Sequence, residues 1–216
     1  MAYNSQKVEA AMAAPVPLSL RVGASKTIGE FIIAPKIEHF LRAQPDASFS
    51  LLVDNTQVLL RELEAGRLDF VLVEGFFDHN RYEAQLCRRE EFFGVCAPHH
   101  RLAGRAVPLD ELTGERLILR ESGSGTRAIF EEALHRENWT LHSFPNVVTI
   151  SDFSTIKSLT ADGLGVSFLY APVVAQELKD GTLARFDLAE VPMSGAFYFV
   201  CLKDNLFAKA WLDWMQ

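Results

Sequence analysis

Apolar residues recur along the chain in two alternating rhythms. Short continuous or every-other-residue apolar runs predict strands over 18–22, 49–53, 69–73, 92–97, 116–120, 147–150, 165–170 and 196–202. Between them, apolar positions three and four apart predict helices over 28–41, 56–65, 126–137, 153–161, 172–178 and 207–215. In the first helix Ile28, Ile32, Ile33, Ile37, Phe40 and Leu41 fall near one face, and Pro35 predicts a kink or a restart. Gly66 and Gly163 stand where the second and fourth helices should stop, and Asp180-Gly181 reads as a turn. Strands that alternate with helices predict an α/β fold with a largely parallel sheet.

The pattern echoes itself. "ASKTIGEFI" has a partner in "GSGTRAIFE": a serine and a threonine two apart, Ser25 with Thr27 and Ser124 with Thr126, stand between a strand and a helix. "VDNTQVLLRELEAGRLDFVLV" is matched by "ISDFSTIKSLTADGLGVSFLY". The echo covers far more chain than a solenoid repeat of about 20–50 residues, so it predicts two similar α/β lobes. In open α/β sheets ligands bind beyond the carboxyl ends of the strands, where helix N-termini offer free N–H groups. Polar residues at these turns therefore have two readings, a helix cap or a ligand contact.

Composition narrows the function. The 216 residues are 49% hydrophobic and 23% charged, enough for a buried core. A net charge of -7 repels phosphate backbones, and the nearest basic cluster, Arg88-Arg89, is followed at once by Glu90-Glu91. Cys87, Cys96 and Cys201 are odd in number and widely spaced, which argues against a disulfide framework and for a reducing compartment. No apolar run is long enough for a bilayer, and Lys7, Glu9, Pro15 and Pro17 interrupt the N-terminal stretch where a signal peptide would be apolar. The expectation is a cytoplasmic protein with no membrane contact, no metal site, no cofactor and no catalytic group. "SGSGTR" lacks both the phosphate-loop ending and the dinucleotide spacing.

The ordered segments carry a resemblance. "LRVGAS", "IAPKIEHFLRAQPDASFSL", "LLRELEAGRLDFVLVEG", "FFGVCAPHHRLAGRAVPLDEL", "LILRESGSGTRAIFEEAL" and "STIKSLTADGLGVSFLYAPVV" run from residue 20 to residue 174, and the resemblance they anchor extends over 18–214. Together the chain resembles the effector-binding domain of LysR-type transcriptional regulators, which share the fold of type 2 periplasmic binding proteins. The resemblance implies two Rossmann-like lobes joined by two crossover segments: lobe I at 18–91 plus 194–216, lobe II at 92–193, and a tail or linker at 1–17. It implies a small-molecule effector, anionic or zwitterionic, bound between the lobes. The positions that match are Ser25, Lys26 and Thr27; Glu74 and Gly75; Ser122, Ser124 and Thr126; and Ser151, Asp152 and Phe153. Arg127, just inside the following helix, is a further candidate on its own chemistry. It also implies a homodimer through lobe I, using segments 31–40 and 51–60, with tetramers possible for a full-length regulator. Such regulators reach DNA through an N-terminal winged helix-turn-helix, for which residues 1–17 are too few. The chain then reads either as an excised effector domain or as a stand-alone solute-binding protein.

Taken singly, most of these residues keep a plainer alternative. Lys26 neutralises an anion or is a solvated first-turn lysine. Arg127 reaches a carboxylate or lies exposed on its helix. Asp152 and the Asp54-Asn55-Thr56 turn read first as caps. Phe153 lines a pocket or fills the core. His99-His100 are adjacent, so their side chains diverge, and they read as loop residues. Cys87 alone is a candidate for oxidation. Prephenate dehydratase shares this fold and uses Thr-Arg-Phe; here Thr126-Arg127 is followed by Ala128, which leaves that enzyme reading thin.

Overall fold

The computed structural model describes residues 19–191 and 193–205. It divides into two compact units: one built from residues 19–73, 77–87 and 197–205, the other from 74–76 and 88–196 without residue 192.

In the first unit β1 (Ser19–Ser25) leads into α1 (Lys26–Phe31) and α2 (Ala34–Ala43). The apolar face predicted as one helix is thus cut in two. Pro35 falls in the first turn of α2, where its missing N–H costs nothing, so the chain restarts there instead of kinking. Next come β2 (Ser48–Asp54), α3 (Thr56–Glu64) and β3 (Phe70–Glu74). β1 pairs in parallel with both β2 and β3, with Val22 opposite Leu51 and Phe70. α3 stops as predicted at Gly66, and the Arg67 N–H turns back to the Glu62 carbonyl at 3.0 Å. Leu59, Leu63, Leu68, Val71, Val73, Tyr82 and Val200 form one apolar cluster, and the Phe70 and Phe199 rings meet at 4.8 Å.

β4 (Tyr82–Cys96) and β10 (Ser194–Leu202) each give residues to both units. In the first unit the strand order is β2-β1-β3-β10-β4, which puts the last described strand between two earlier ones. The first half of β4 was not predicted. Its residues 83–89 are exposed or half-buried, so no apolar rhythm marks them.

The second unit holds β5 (Ala106–Val107), β6 (Leu117–Leu119), α4 (Gly125–Arg136), β7 (Val147–Thr149), α5 (Phe153–Ala161), β8 (Ser167–Tyr170), α6 (Ala171–Asp180) and β9 (Ala184–Leu188). Strands β8 and β9 run antiparallel to β4, with Phe92 opposite Tyr170 and Gly94 opposite Phe186, while β6 and β7 form a parallel pair of their own. The core is aromatic: Phe130 stacks on Phe168 at 4.0 Å, and Phe168 meets Phe186 edge-on at 5.5 Å. The predicted helix at 207–215 lies outside the described residues.

Cys96 and Cys201 are buried, and burial pushes their thiols up to about 11 and about 12. Cys87 is exposed; burial of its sulfur still raises its thiol pKa, against the downward pull of the Phe199 backbone and the Lys36 charge. A disulfide-exchange reagent is therefore expected to label one thiol in the folded protein, slowly at neutral pH, and the other two only after unfolding. Three fast thiols in the native state would contradict this burial.

Candidate functional site

Four strand-to-helix turns repeat in two kinds, which makes the sequence echo a structural one. Ser25 and Ser124 hold the N-cap positions of α1 and α4, both with extended ψ and both buried. Neither side chain makes the capping hydrogen bond that the sequence suggests for such a serine. Two positions on, Thr27 and Thr126 are also buried. Asn55 and Asp152 form the second kind and do cap. The Asn55 Oδ1 accepts the Val58 N–H at 3.0 Å. The Asp152 Oδ2 accepts the Thr155 N–H at 2.7 Å, the Thr155 hydroxyl at 2.7 Å and the Ser154 hydroxyl at 2.8 Å.

Ser25, Lys26, Thr27 and Asn55 belong to the first unit, where Lys26 is half-buried at the start of the six-residue α1. The remaining predicted site residues belong to the second unit. There β6 and β7 run in parallel, with Leu119 opposite Thr149 and the Ile150 N–H on the Leu119 carbonyl at 2.9 Å. Both strands therefore deliver their following turns to one edge. Residues 120–124 lead into α4, and residues 150–152 lead into α5. Ser122, Ser151 and Asp152 are exposed on this edge, while Ser124 and Phe153 are buried. Such an edge presents two helix N-termini and their partial positive charge.

A second group gathers at the start of α4. Glu74 and Thr126 are both 1% exposed, and the Thr126 hydroxyl donates to Glu74 Oε1 at 3.0 Å. The backbones meet even more closely. A Cβ on Gly125 would stand 2.3 Å from the Glu74 carbonyl oxygen, and one on Gly75 would stand 2.6 Å from the Gly125 Cα. Gly75 also holds φ +85, a left-handed conformation that disfavours side chains. Burial first, then the carboxylates of Glu74 and Glu90, raises the Tyr170 phenol well above its ordinary pKa.

Arg127 donates to Glu131 one turn on at 2.7 Å and to the Arg120 carbonyl at 3.4 Å. The sequence pattern marks Arg120 only as the end of a strand. It is 2% exposed and grips Glu121 with two nitrogens, Nε to Oε2 at 2.8 Å and Nη2 to Oε1 at 3.0 Å. Its guanidinium carbon lies 4.3 Å from the centre of the Phe153 ring, a cation–π contact. A charged pair directly after the apolar "LIL" was the available signal, since a strand that ends in a cation points it at the helix-start edge. His100 sits in the loop after β4, its Nε2 3.2 Å from Glu115. Among the described residues no group of three His, Cys, Asp or Glu side chains could hold a metal, and no helix is long and apolar enough to cross a membrane.

The family model for the LysR substrate binding domain matches residues 16–216. The transcriptional regulator CysL of Bacillus subtilis (strain 168) is 28% identical over 160 residues, which are 74% of this chain and 52% of CysL. YeiE, an uncharacterised transcriptional regulator of Escherichia coli (strain K12), is 30% identical over 167 residues, 77% of this chain and 56% of YeiE. The chain thus spans about half the length of the curated relatives it matches. Two solved structures share the fold. The Synechocystis PCC6803 CcmR regulatory domain, in complex with 2-PG, superposes with a TM-score of 0.78 at 24% identity, over 91% of this chain and 95% of that one. The effector-binding domain of QuiR, in complex with shikimate, gives 0.77 at 17% identity over 93% and 96%. The fold is the α/β fold of type 2 periplasmic binding proteins, and the chain belongs to the LysR substrate-binding domain family.

Proposed function

We propose that this chain is the effector-sensing part of a LysR-type transcriptional regulator that works in the cytoplasm. It binds a small anionic or zwitterionic metabolite, makes or breaks no covalent bond, and needs no cofactor. Binding shifts a conformational equilibrium that a winged helix-turn-helix elsewhere in the regulator reports to DNA. The observation that carries this reading is the polar edge of β6 and β7, where Ser122, Ser151 and two helix starts stand together. Ser25, Lys26, Thr27, Glu74, Gly75, Ser124, Thr126, Arg127, Asp152 and Phe153 complete the proposed ligand set. The structures of CcmR with 2-PG and QuiR with shikimate support a metabolite as the partner.

Lobe I, residues 18–91 plus 194–216, carries the homodimer contact in this reading, and lobe II is 92–193. β2 has β1 as its only neighbour among the described strands, and it leaves Leu52 37% exposed while α2 leaves Leu41 43% exposed. An open edge with apolar neighbours suits a second copy. Sedimentation of the chain should give a dimer, and Leu52→Lys should shift it toward monomer; a wild-type monomer at every concentration would end that part of the reading.

The effector reading is tested by thermal denaturation against dicarboxylates, aromatic acids, amino acids, sulfate, phosphate and sugar phosphates. A ligand at 100 times its Kd should add about 2.7 kcal/mol, or about 5–11 °C for a protein of this size. Ser122→Ala should shrink the response without lowering the unliganded melt, and Ser151→Ala should shrink it too. A flat response across the panel would refute a small-molecule sensor.

A further inference from the structure

A buried arginine is held by three contacts and keeps one donor nitrogen unsatisfied. Arg120 is 2% exposed, its Nε and Nη2 are taken by Glu121, and one face lies on Phe153. Its Nη1 is buried and finds no acceptor among the described residues. A terminal guanidinium nitrogen carries two N–H donors, and burying donors unpaired costs about 1–3 kcal/mol, more for a charged group. Native folds rarely accept that cost without a use for it.

The surroundings say what would use it. Arg120 is the first residue past β6, on the edge where α4 and α5 begin. Asp152 seals the start of α5, whereas the start of the twelve-residue α4 has no side-chain cap from Ser124 and no acidic residue in its first turn. Arg127 stands in that turn and is tied to the Arg120 carbonyl. Glu121 offsets the Arg120 charge and Glu131 that of Arg127. What remains is a preset guanidinium donor beside a helix N-terminus without a side-chain cap, a combination that favours an anionic oxygen over a neutral one.

We propose that Arg120 Nη1 is a specificity anchor that donates to an oxyanion, a carboxylate or phosphate-type oxygen, of the molecule bound at this edge. This deepens the effector reading and rests on it. Glu121 and Phe153 then act as positioning residues that preset the guanidinium before the ligand arrives.

The test titrates the folded chain with sulfate, phosphate, acetate and succinate at fixed ionic strength, with chloride as the control and neutral sugars alongside. Three proteins are compared: wild type, Arg120→Lys, and the double variant Arg120→Met/Glu121→Gln, which removes both charges together and so strands neither. The expected result is an oxyanion that binds wild type, binds the double variant at least about tenfold more weakly, and binds Arg120→Lys at an intermediate level. Should the double variant fail to fold, guanidinium nitrogen spectra of the wild type decide. The signal that Arg120→Lys removes must move when the oxyanion is added, and a still signal overturns the proposal.

Equal oxyanion binding by wild type and double variant, with loss in Ser122→Ala, overturns the role of Arg120 and leaves the effector reading standing. A neutral sugar that binds where no oxyanion does has the same consequence. A wild-type chain that binds nothing overturns both, and a buried water is then the plain partner of Nη1.

Discussion

Gly125→Ala should lower the melting temperature by about 6–12 °C, the equivalent of about 3 kcal/mol in a protein of this size. By propensity alone the change is favourable, because alanine prefers helix and orders the unfolded chain by about 0.4–1 kcal/mol. Crowding reverses the sign. The added Cβ would stand 2.3 Å from the Glu74 carbonyl oxygen and 2.6 Å from its carbonyl carbon. Neither backbone atom can swing away as a side-chain tip does. The α4 start must move off Glu74, and the buried hydrogen bond from Thr126 to Glu74 goes with it. Gly104→Ala separates crowding from backbone conformation. It carries φ +72 with nothing within 4 Å of its Cβ, so it should cost only about 1–2 kcal/mol. Urea unfolding of both variants checks the contrast, and a wild-type midpoint for Gly125→Ala would mean that α4 does not press on Glu74 as described.

The second large effect is on pH dependence. Asp69 lies just before β3 with its side chain fully buried against Arg21. Its Oδ2 accepts the Arg21 N–H at 2.7 Å, its Oδ1 accepts Arg21 Nη2 at 3.0 Å, and its own N–H donates to the Arg21 carbonyl at 2.8 Å. Burial raises the carboxyl to about 6, with the Arg21 N–H pulling the other way. The unfolded chain gives up this proton near 3.8, while the folded chain keeps it until about 6. Between those values the native state binds more protons, so this group's contribution to stability falls as pH rises, and it is flat above and below. The span corresponds to at most about 3 kcal/mol. Asp69→Asn removes the titration. Measured by urea unfolding at pH 4 and pH 7, wild type should lose about 1–3 kcal/mol relative to the variant as pH rises. Parallel pH profiles would show that Asp69 is ionised in the native state throughout.

Much of the fold was legible because burial writes a rhythm into the chain. β3 is buried at every position and reads as an apolar run over residues 70–73; α3 and α5 carry Leu59 and Leu63, or Ile156 and Thr160, at helical spacing. The first half of β4 was not legible. "YEAQLCRREE" keeps extended structure through its ladder with neighbouring strands, and a ladder is made of backbone, which leaves no mark on side-chain polarity. β9 carries a short signal that is easily lost, Phe186 and Leu188 alternating with exposed or half-buried neighbours over five residues. The split between α1 and α2 was half legible, since proline signals a break without saying whether the helix bends or begins again. Of the candidate site, the caps at Asn55 and Asp152 followed from residue type alone. Ser25 and Ser124 did not, because a buried serine can hold the N-cap position without using its hydroxyl there. Arg120 was hidden for a related reason: what distinguishes it is an unmet donor, a property of its surroundings and not of its letter.

The place of β10 also bears on how the protein is made. In the first unit this strand stands between β3 and β4, yet residues 88–196 must be synthesised after β4 enters that unit and before β10 can. A ribosome adding about 5–20 residues per second takes several seconds or more over that stretch. For that time the edge of β3 and the first half of β4 have no partner strand between them, and unpaired edges invite other chains. The second unit is almost continuous in sequence and can close first. A nascent chain of this protein is therefore most exposed to misassembly in the first unit, and a premature stop before residue 197 removes the strand that this unit was waiting for.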